Sequence, residues 1–278
     1  MNEDILLYFI PGLGMIIVAA TAAIYGWRAL RVQIRWFWAG VGLWVTAVIL
    51  KSISALLANP PVLGFLKENL SYPVLVVSGG LFIGIQSSVF EMGFTLLACL
   101  IWRQLGRDGR RAIGIGVGAG SFEALLLGLS SLAAVIAIAA GVPGTEGVRT
   151  GLESTASATP LFWLVAPVER IIAILCHAST RALVLLGAAK KRWLLIFWGF
   201  LIFALLDGVA GAAHVSGKLG AISLWWIELV LLPFALVSVP ILRWCYRRWG
   251  EPEARVRALN EHGQPDAPVD PPRRDAEL

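Results

Sequence analysis

The chain has 278 residues, of which 58% are hydrophobic and 15% charged, where soluble domains carry about 25% charged residues. That balance excludes an ordinary soluble domain and points to a polytopic membrane protein. The net charge of +5 is not read as a nucleic-acid signature, because most Lys and Arg sit in short loops between apolar segments, where they act as topology signals.

Seven apolar spans are expected at 5–27, 37–57, 73–102, 112–142, 160–188, 193–214 and 221–242. Each has the ~20 residues needed to cross a hydrocarbon core. The fold class is therefore all-α, a bundle of about seven transmembrane helices. Asn2, Glu3 and Asp4 precede the first span. A secretory signal would carry positive charge there, so the span is expected to remain as a membrane helix. Lys51, near the end of the second span, is expected to snorkel to the interface. Span four opens on Gly114, Gly116, Gly118 and Gly120. Both pairs four apart read as small-residue faces for close helix packing, not as a dinucleotide fingerprint.

The loops separate by charge. Arg28, Arg31 and Arg35 follow span one, and Arg103, Arg107, Arg110 and Arg111 follow span three. Lys190, Lys191 and Arg192 follow span five, and Arg243, Arg247 and Arg248 follow span seven. The opposite loops hold only Lys67, Arg149 and Lys218. The positive-inside rule then puts the N-terminus outside and the C-terminus in the cytoplasm, as in a multi-pass protein of the inner cell membrane. The membrane domain is expected at 1–246, followed by a Pro-rich, mixed-charge cytoplasmic tail at 247–278 that is expected to be disordered. Cys99, Cys176 and Cys245 form no Cys-x-x-Cys pair and imply no disulfide framework. Cys176 and His177 are neighbours, but adjacent helical residues point about 100° apart, which argues against a Cys/His dyad.

The chemistry concentrates in Glu91, Glu123, Glu169, Asp207 and His177, all inside apolar spans. A charge near the bilayer centre costs about 3 kcal/mol on insertion scales, so such residues point by default to a functional polar site. Glu91 lies 12 residues before Arg103, and Glu123 lies 12 after Arg111, which places both roughly 18 Å from the basic edge at the helical rise. The same arithmetic puts His177 roughly 20 Å and Asp207 roughly 22 Å in. Four spans thus contribute to one layer. Glu169 lies two turns farther out, about 80° from His177 around the helix. Arg181, one turn below His177, is placed to pair with a carboxylate, whereas Arg170 points to a different face from Glu169. His214 falls near the outer interface. Bland roles stay open: Glu91 or Asp207 as helix-packing hydrogen-bond partners, and Glu169 in a structural ion pair with Arg170 or Arg181.

Three motifs carry a resemblance. They are Phe90-Glu91, the run from Gly116 to Ala124 ending Ser121-Phe122-Glu123-Ala124, and Glu169-Arg170 followed by Ala173 and His177. Asp207 matches the end of a His-x-x-x-Asp element. With these, the chain resembles the YhfC family of intramembrane proteases, related to the CAAX-type prenyl-protein endopeptidases and the PrsW proteases. The departures are specific. Met92 stands where a second Glu is usual, and no arginine follows within a turn. Ala119 and Phe203 stand where the family has histidines.

The resemblance implies a membrane-embedded peptidase that cleaves a membrane protein or peptide, with the lipid bilayer and no nucleic acid as partner. Glu123 would be the base, His177 a proton donor or metal ligand, and Glu169 a second carboxylate that orients His177 or a ligand. Glu91, Asp207, Arg181 and Arg170 would support them. The cofactor is zinc, held by His177 and Glu169, or none. Two alternatives stand beside it. One is an inactive scaffold of the same fold, since the superfamily includes the seven-span scaffold subunit of gamma-secretase. The other is a proton-coupled transporter, although no inverted repeat is visible.

Overall fold

A computed structural model describes residues 6–262, with side chains as far as Trp249. It is built of helices, and no strand occurs among the described residues. In chain order these are α1 (Phe9–Leu30), α2 (Ile34–Asn69), α3 (Tyr72–Ile101), α4 (Gly109–Ala139), α5 (Glu146–Ala158), α6 (Val165–Lys190), α7 (Trp193–Val215) and α8 (Trp225–His262). Single 3₁₀ turns precede α4 and α6. Seven of the helices are long and apolar enough to cross a membrane. Lipid offers backbone groups no partner, so apolar spans satisfy themselves as helices.

The seven long helices coincide with the seven expected spans, with shifted ends. α2 runs 36 residues, through Pro60 and Pro61, past its expected end at 57. α5 was not expected at all. It is 13 residues long, buries none of them, and lies within the linker between the fourth and fifth spans. α8 continues to His262, and the remainder of the expected tail, 263–278, lies outside the described residues, as do Asn2, Glu3 and Asp4.

α6 is the central helix. Its apolar window is 83% buried, against 39% or less for every other span. It packs on α1, α3, α4, α7 and α8. The α4 glycines explain how neighbours come so near. A Cβ at Gly116 would sit 2.5 Å from the Ala178 Cα, and one at Gly120 would sit 2.9 Å from the Ile174 Cα, both on α6. Gly114 and Gly118 instead meet Val32 and Phe37 at the foot of α2. The two small-residue faces thus grip different partners. α3 and α7 are equally tight, since a Cβ at Gly80 would lie 2.6 Å from the Gly208 carbonyl. The basic loops gather at one end of the bundle. There the Trp249 indole donates to the Gly106 carbonyl at 3.0 Å, and the Arg111 guanidinium lies 4.0 Å from the Trp36 ring centroid.

Candidate functional site: a buried chain of charges

Five helices deliver polar groups to one place. His177, on the lipid-shielded α6, is the hub. Its Nε2 lies 2.7 Å from Glu123 Oε2 on α4. Its Nδ1 contacts the Arg181 guanidinium one turn along α6 and lies 3.8 Å from Glu91 Oε2 on α3. Arg181 also donates to Glu91 Oε2 at 3.0 Å. Glu91, Glu123 and His177, three of the four residues expected in one layer, therefore converge. Their ligand atoms lie within 4.8 Å of one another.

The network extends both ways. Outward, Arg170 donates to Glu123 Oε1 at 2.8 Å and, through Nε, to Glu169 Oε2 at 2.7 Å. On the other side, Lys51 on α2 lies 2.7 Å from Glu91 Oε1 and donates to Ser87 Oγ at 2.9 Å. Ser87 in turn hydrogen-bonds Asp207 on α7. The Trp44 indole closes the roof of Glu123 by donating to Oε2 at 3.0 Å. Glu91, His177 and Arg181 are sealed from solvent, whereas the side chains of Glu123 and Glu169 are 20% and 30% exposed.

Several sequence expectations change here. Lys51 does not snorkel. A carboxylate as buried as Glu91 needs a cation, and the flexible lysine stem turns inward to supply one. Arg170 leaves α6 on a different face from Glu169, yet its length lets it hold Glu169 and Glu123 together. Glu169 is thus bound by Arg170 and lies outside the Glu91, Glu123 and His177 group, away from the orienting and ligating role the resemblance implies. In keeping with the sequence reading, Cys176 turns from His177 to Ser238, and His214 is exposed. Trp44, Ser87 and Glu228 were missed. Glu228, in the first turn of α8, is 6% exposed, and its Oε2 has no hydrogen-bond partner. An acid inside an apolar span was the signal available for it.

Glu91, Glu123 and His177 are the metal-capable group among the described residues, but their surroundings do not fit a resident metal. Arginine donates and never accepts, so the Arg181 contact makes Nδ1 the acceptor and leaves the proton on Nε2, facing Glu123. An Nε2 ligand would need the other tautomer, and Nδ1 is covered by Arg181. Both oxygens of Glu91 already accept from Lys51 and Arg181, and both of Glu123 from Arg170, Trp44 and His177. Phe203, where the family has a histidine, packs its ring edge-on to His177 at 5.2 Å between centroids. Ala119, the other such position, is fully buried and brings no ligand atom. Arg170, Arg181 and the Lys51 ammonium already balance the carboxylates that a divalent ion would have to balance.

No curated protein and no solved structure matches the chain. A family model does match, over residues 14–231, which takes in every helix that builds the site. The chain, a multi-pass membrane protein, belongs to the YhfC intramembrane metalloprotease family.

Proposed function

We propose that the protein is an endopeptidase of the inner cell membrane, with its N-terminus outside, in which Glu123 does the acid–base work and His177 orients it, without a bound metal. The observation that supports this reading is the 2.7 Å contact between His177 Nε2 and Glu123 Oε2, set in the buried centre of a protease-family bundle. Glu123 is the member of the pair that an incoming water reaches. Its carboxylate takes the water proton while the water oxygen bonds the peptide carbonyl carbon. The carbonyl electrons move to oxygen, beside the Arg170 guanidinium, which stabilises the developing charge. The tetrahedral species collapses as the C–N bond breaks, and the leaving amine takes the proton from Glu123. The Nε2 proton of His177 holds the Glu123 carboxylate in register throughout.

The test is cleavage of transmembrane peptides by protein reconstituted in vesicles. Glu123→Gln keeps the shape and removes the base, and His177→Ala removes the orienting donor. Loss of a general acid or base costs about 10²–10⁴-fold. Normal cleavage by both variants rejects the mechanism.

A second reading has its own support. The Glu91 and Glu123 oxygens are all satisfied by the chain's own donors, and Phe203 covers one side of the imidazole. A site closed in this way suits a scaffold that kept the fold and lost the reaction. Absence of cleavage by the parent across a broad panel of membrane peptides, with a stoichiometric partner co-purifying, favours that reading.

A further inference from the structure

A cavity of about 830 Å³ opens at the basic end of the bundle, and His177 is not among its lining residues. It lies where α3 ends, α6 ends and α7 begins, with Trp249 of α8 at its edge. Arg103, Arg107, Lys190 and Lys191 line it, and no acidic residue does. None of these four cations makes an ion pair with a carboxylate among the described residues. The rest of the lining is largely apolar and includes Leu96, Leu100, Trp193 and Ile196.

Four like charges facing one cavity repel each other unless an anion lies among them. The apolar part of the lining would be wasted on a small hydrated anion. A molecule with a negative head and a hydrocarbon body satisfies both halves. The cavity volume falls in the range that holds a drug-sized ligand, enough for a glycerophosphate head and the first carbons of its chains. Basic pockets between membrane helices at the cytoplasmic face suit such heads, and the positive-inside rule assigns this end to the cytoplasmic leaflet. We infer that the cavity is a binding site for one anionic phospholipid, its phosphate held by Arg103, Arg107, Lys190 and Lys191 and its acyl chains laid against Leu96, Leu100, Trp193 and Ile196.

The experiment is native mass spectrometry of the full chain in a neutral detergent, titrated with phosphatidylglycerol, phosphatidylcholine or inorganic phosphate. The parent should retain phosphatidylglycerol at concentrations where phosphatidylcholine is lost, and inorganic phosphate should not displace it. Arg103→Gln/Lys190→Gln should weaken phosphatidylglycerol binding about tenfold or more, as expected for two phosphate-facing cations. Arg28→Gln/Arg243→Gln removes the same charge from exposed positions at the same end, outside the cavity, and should change binding less than about twofold, since screened surface charges act weakly. Equal losses in the two variants would show diffuse attraction to the leaflet and overturn the site. Equal retention of phosphatidylcholine, or ready displacement by phosphate, would overturn the lipid assignment.

Discussion

The Arg181 guanidinium contacts His177 Nδ1 from one turn away, and the same side chain donates to Glu91 Oε2 at 3.0 Å. One fully buried arginine therefore sets the tautomer of the histidine and neutralises its neighbouring glutamate. Its planar fork reaches both partners at once, which an ammonium group does not do.

Arg181→Met should be strongly destabilising. It leaves Glu91 with Lys51 as its remaining cation and strips the donor from Nδ1. Breaking a buried ion pair from one side costs about 3–5 kcal/mol. Thermal unfolding of the detergent-solubilised variant should show a midpoint several degrees below the parent, and Arg181→Lys should fall between them. A parent-like midpoint for Arg181→Met would mean that the buried pair carries no such weight.

The purified protein should contain no stoichiometric transition metal, and a strong chelator should leave its unfolding midpoint unchanged. Elemental analysis of protein prepared with zinc in the growth medium checks this directly. One zinc per chain, lost in His177→Ala, would show that Arg181 yields Nδ1 or Nε2 to the ion and would restore the metal mechanism.

Glycines at helix crossings should tolerate no side chain. A Cβ at Gly40 would overlap the Ile115 carbonyl, and one at Gly80 would lie 2.6 Å from that of Gly208. Backbone gives way poorly, so Gly40→Ala and Gly80→Ala should each cost about 1–3 kcal/mol, the range for overpacking a tight core. Gly42→Ala and Gly93→Ala meet nothing within 4 Å and should be neutral or stabilising by up to about 1 kcal/mol. Folded yield and unfolding midpoints of the four variants separate the classes. Similar behaviour of all four would refute the close approach of α2 to α4 and of α3 to α7.

Single introduced cysteines should report the orientation against a quiet background, because Cys99, Cys176 and Cys245 are all buried. A cysteine at Lys191 should react with a membrane-impermeant maleimide only after the cytoplasmic side is opened. One at Gly217, between α7 and α8, should react from outside. The reverse pattern would invert the topology.

The parts of this architecture that depend on constant geometry were legible in the sequence. Span length follows from bilayer thickness, and depth follows from helical rise. Hence the convergence of Glu91, Glu123 and His177 was visible as three residues at matching distances from basic loops. The glycine faces were legible too, because residues four apart share a side of the helix. What escaped depends on where long side chains end. Arg170 was judged by the face its Cβ leaves and Lys51 by its nearness to the end of a span, but their heads travel several ångströms to a buried carboxylate. The resemblance gave Glu169 a role beside His177, yet two turns of rise, about 12 Å, hold them apart, and its carboxylate meets Arg170 instead. Trp44 is a donor hidden in an apolar residue type, and α5 lacks the apolar run by which helices were sought.

From Glu169 to Asp207 the polar side chains form an unbroken series. Through Arg170, Glu123, His177, Arg181, Glu91 and Lys51, positive and negative charges alternate, with the imidazole as the one uncharged break when neutral. Ser87 then joins Lys51 to Asp207. The side chains of Glu169 and Lys51 are 30% and 25% exposed, whereas Arg181 between them is fully enclosed. These two partly exposed members sit on different helices, α6 and α2, yet neither can shift without leaving a neighbour's charge uncompensated. Glu169→Gln and Lys51→Met should therefore be non-additive in a double-mutant cycle, although the residues never touch. The bundle is knit by a shared electrostatic register as much as by its packed glycines.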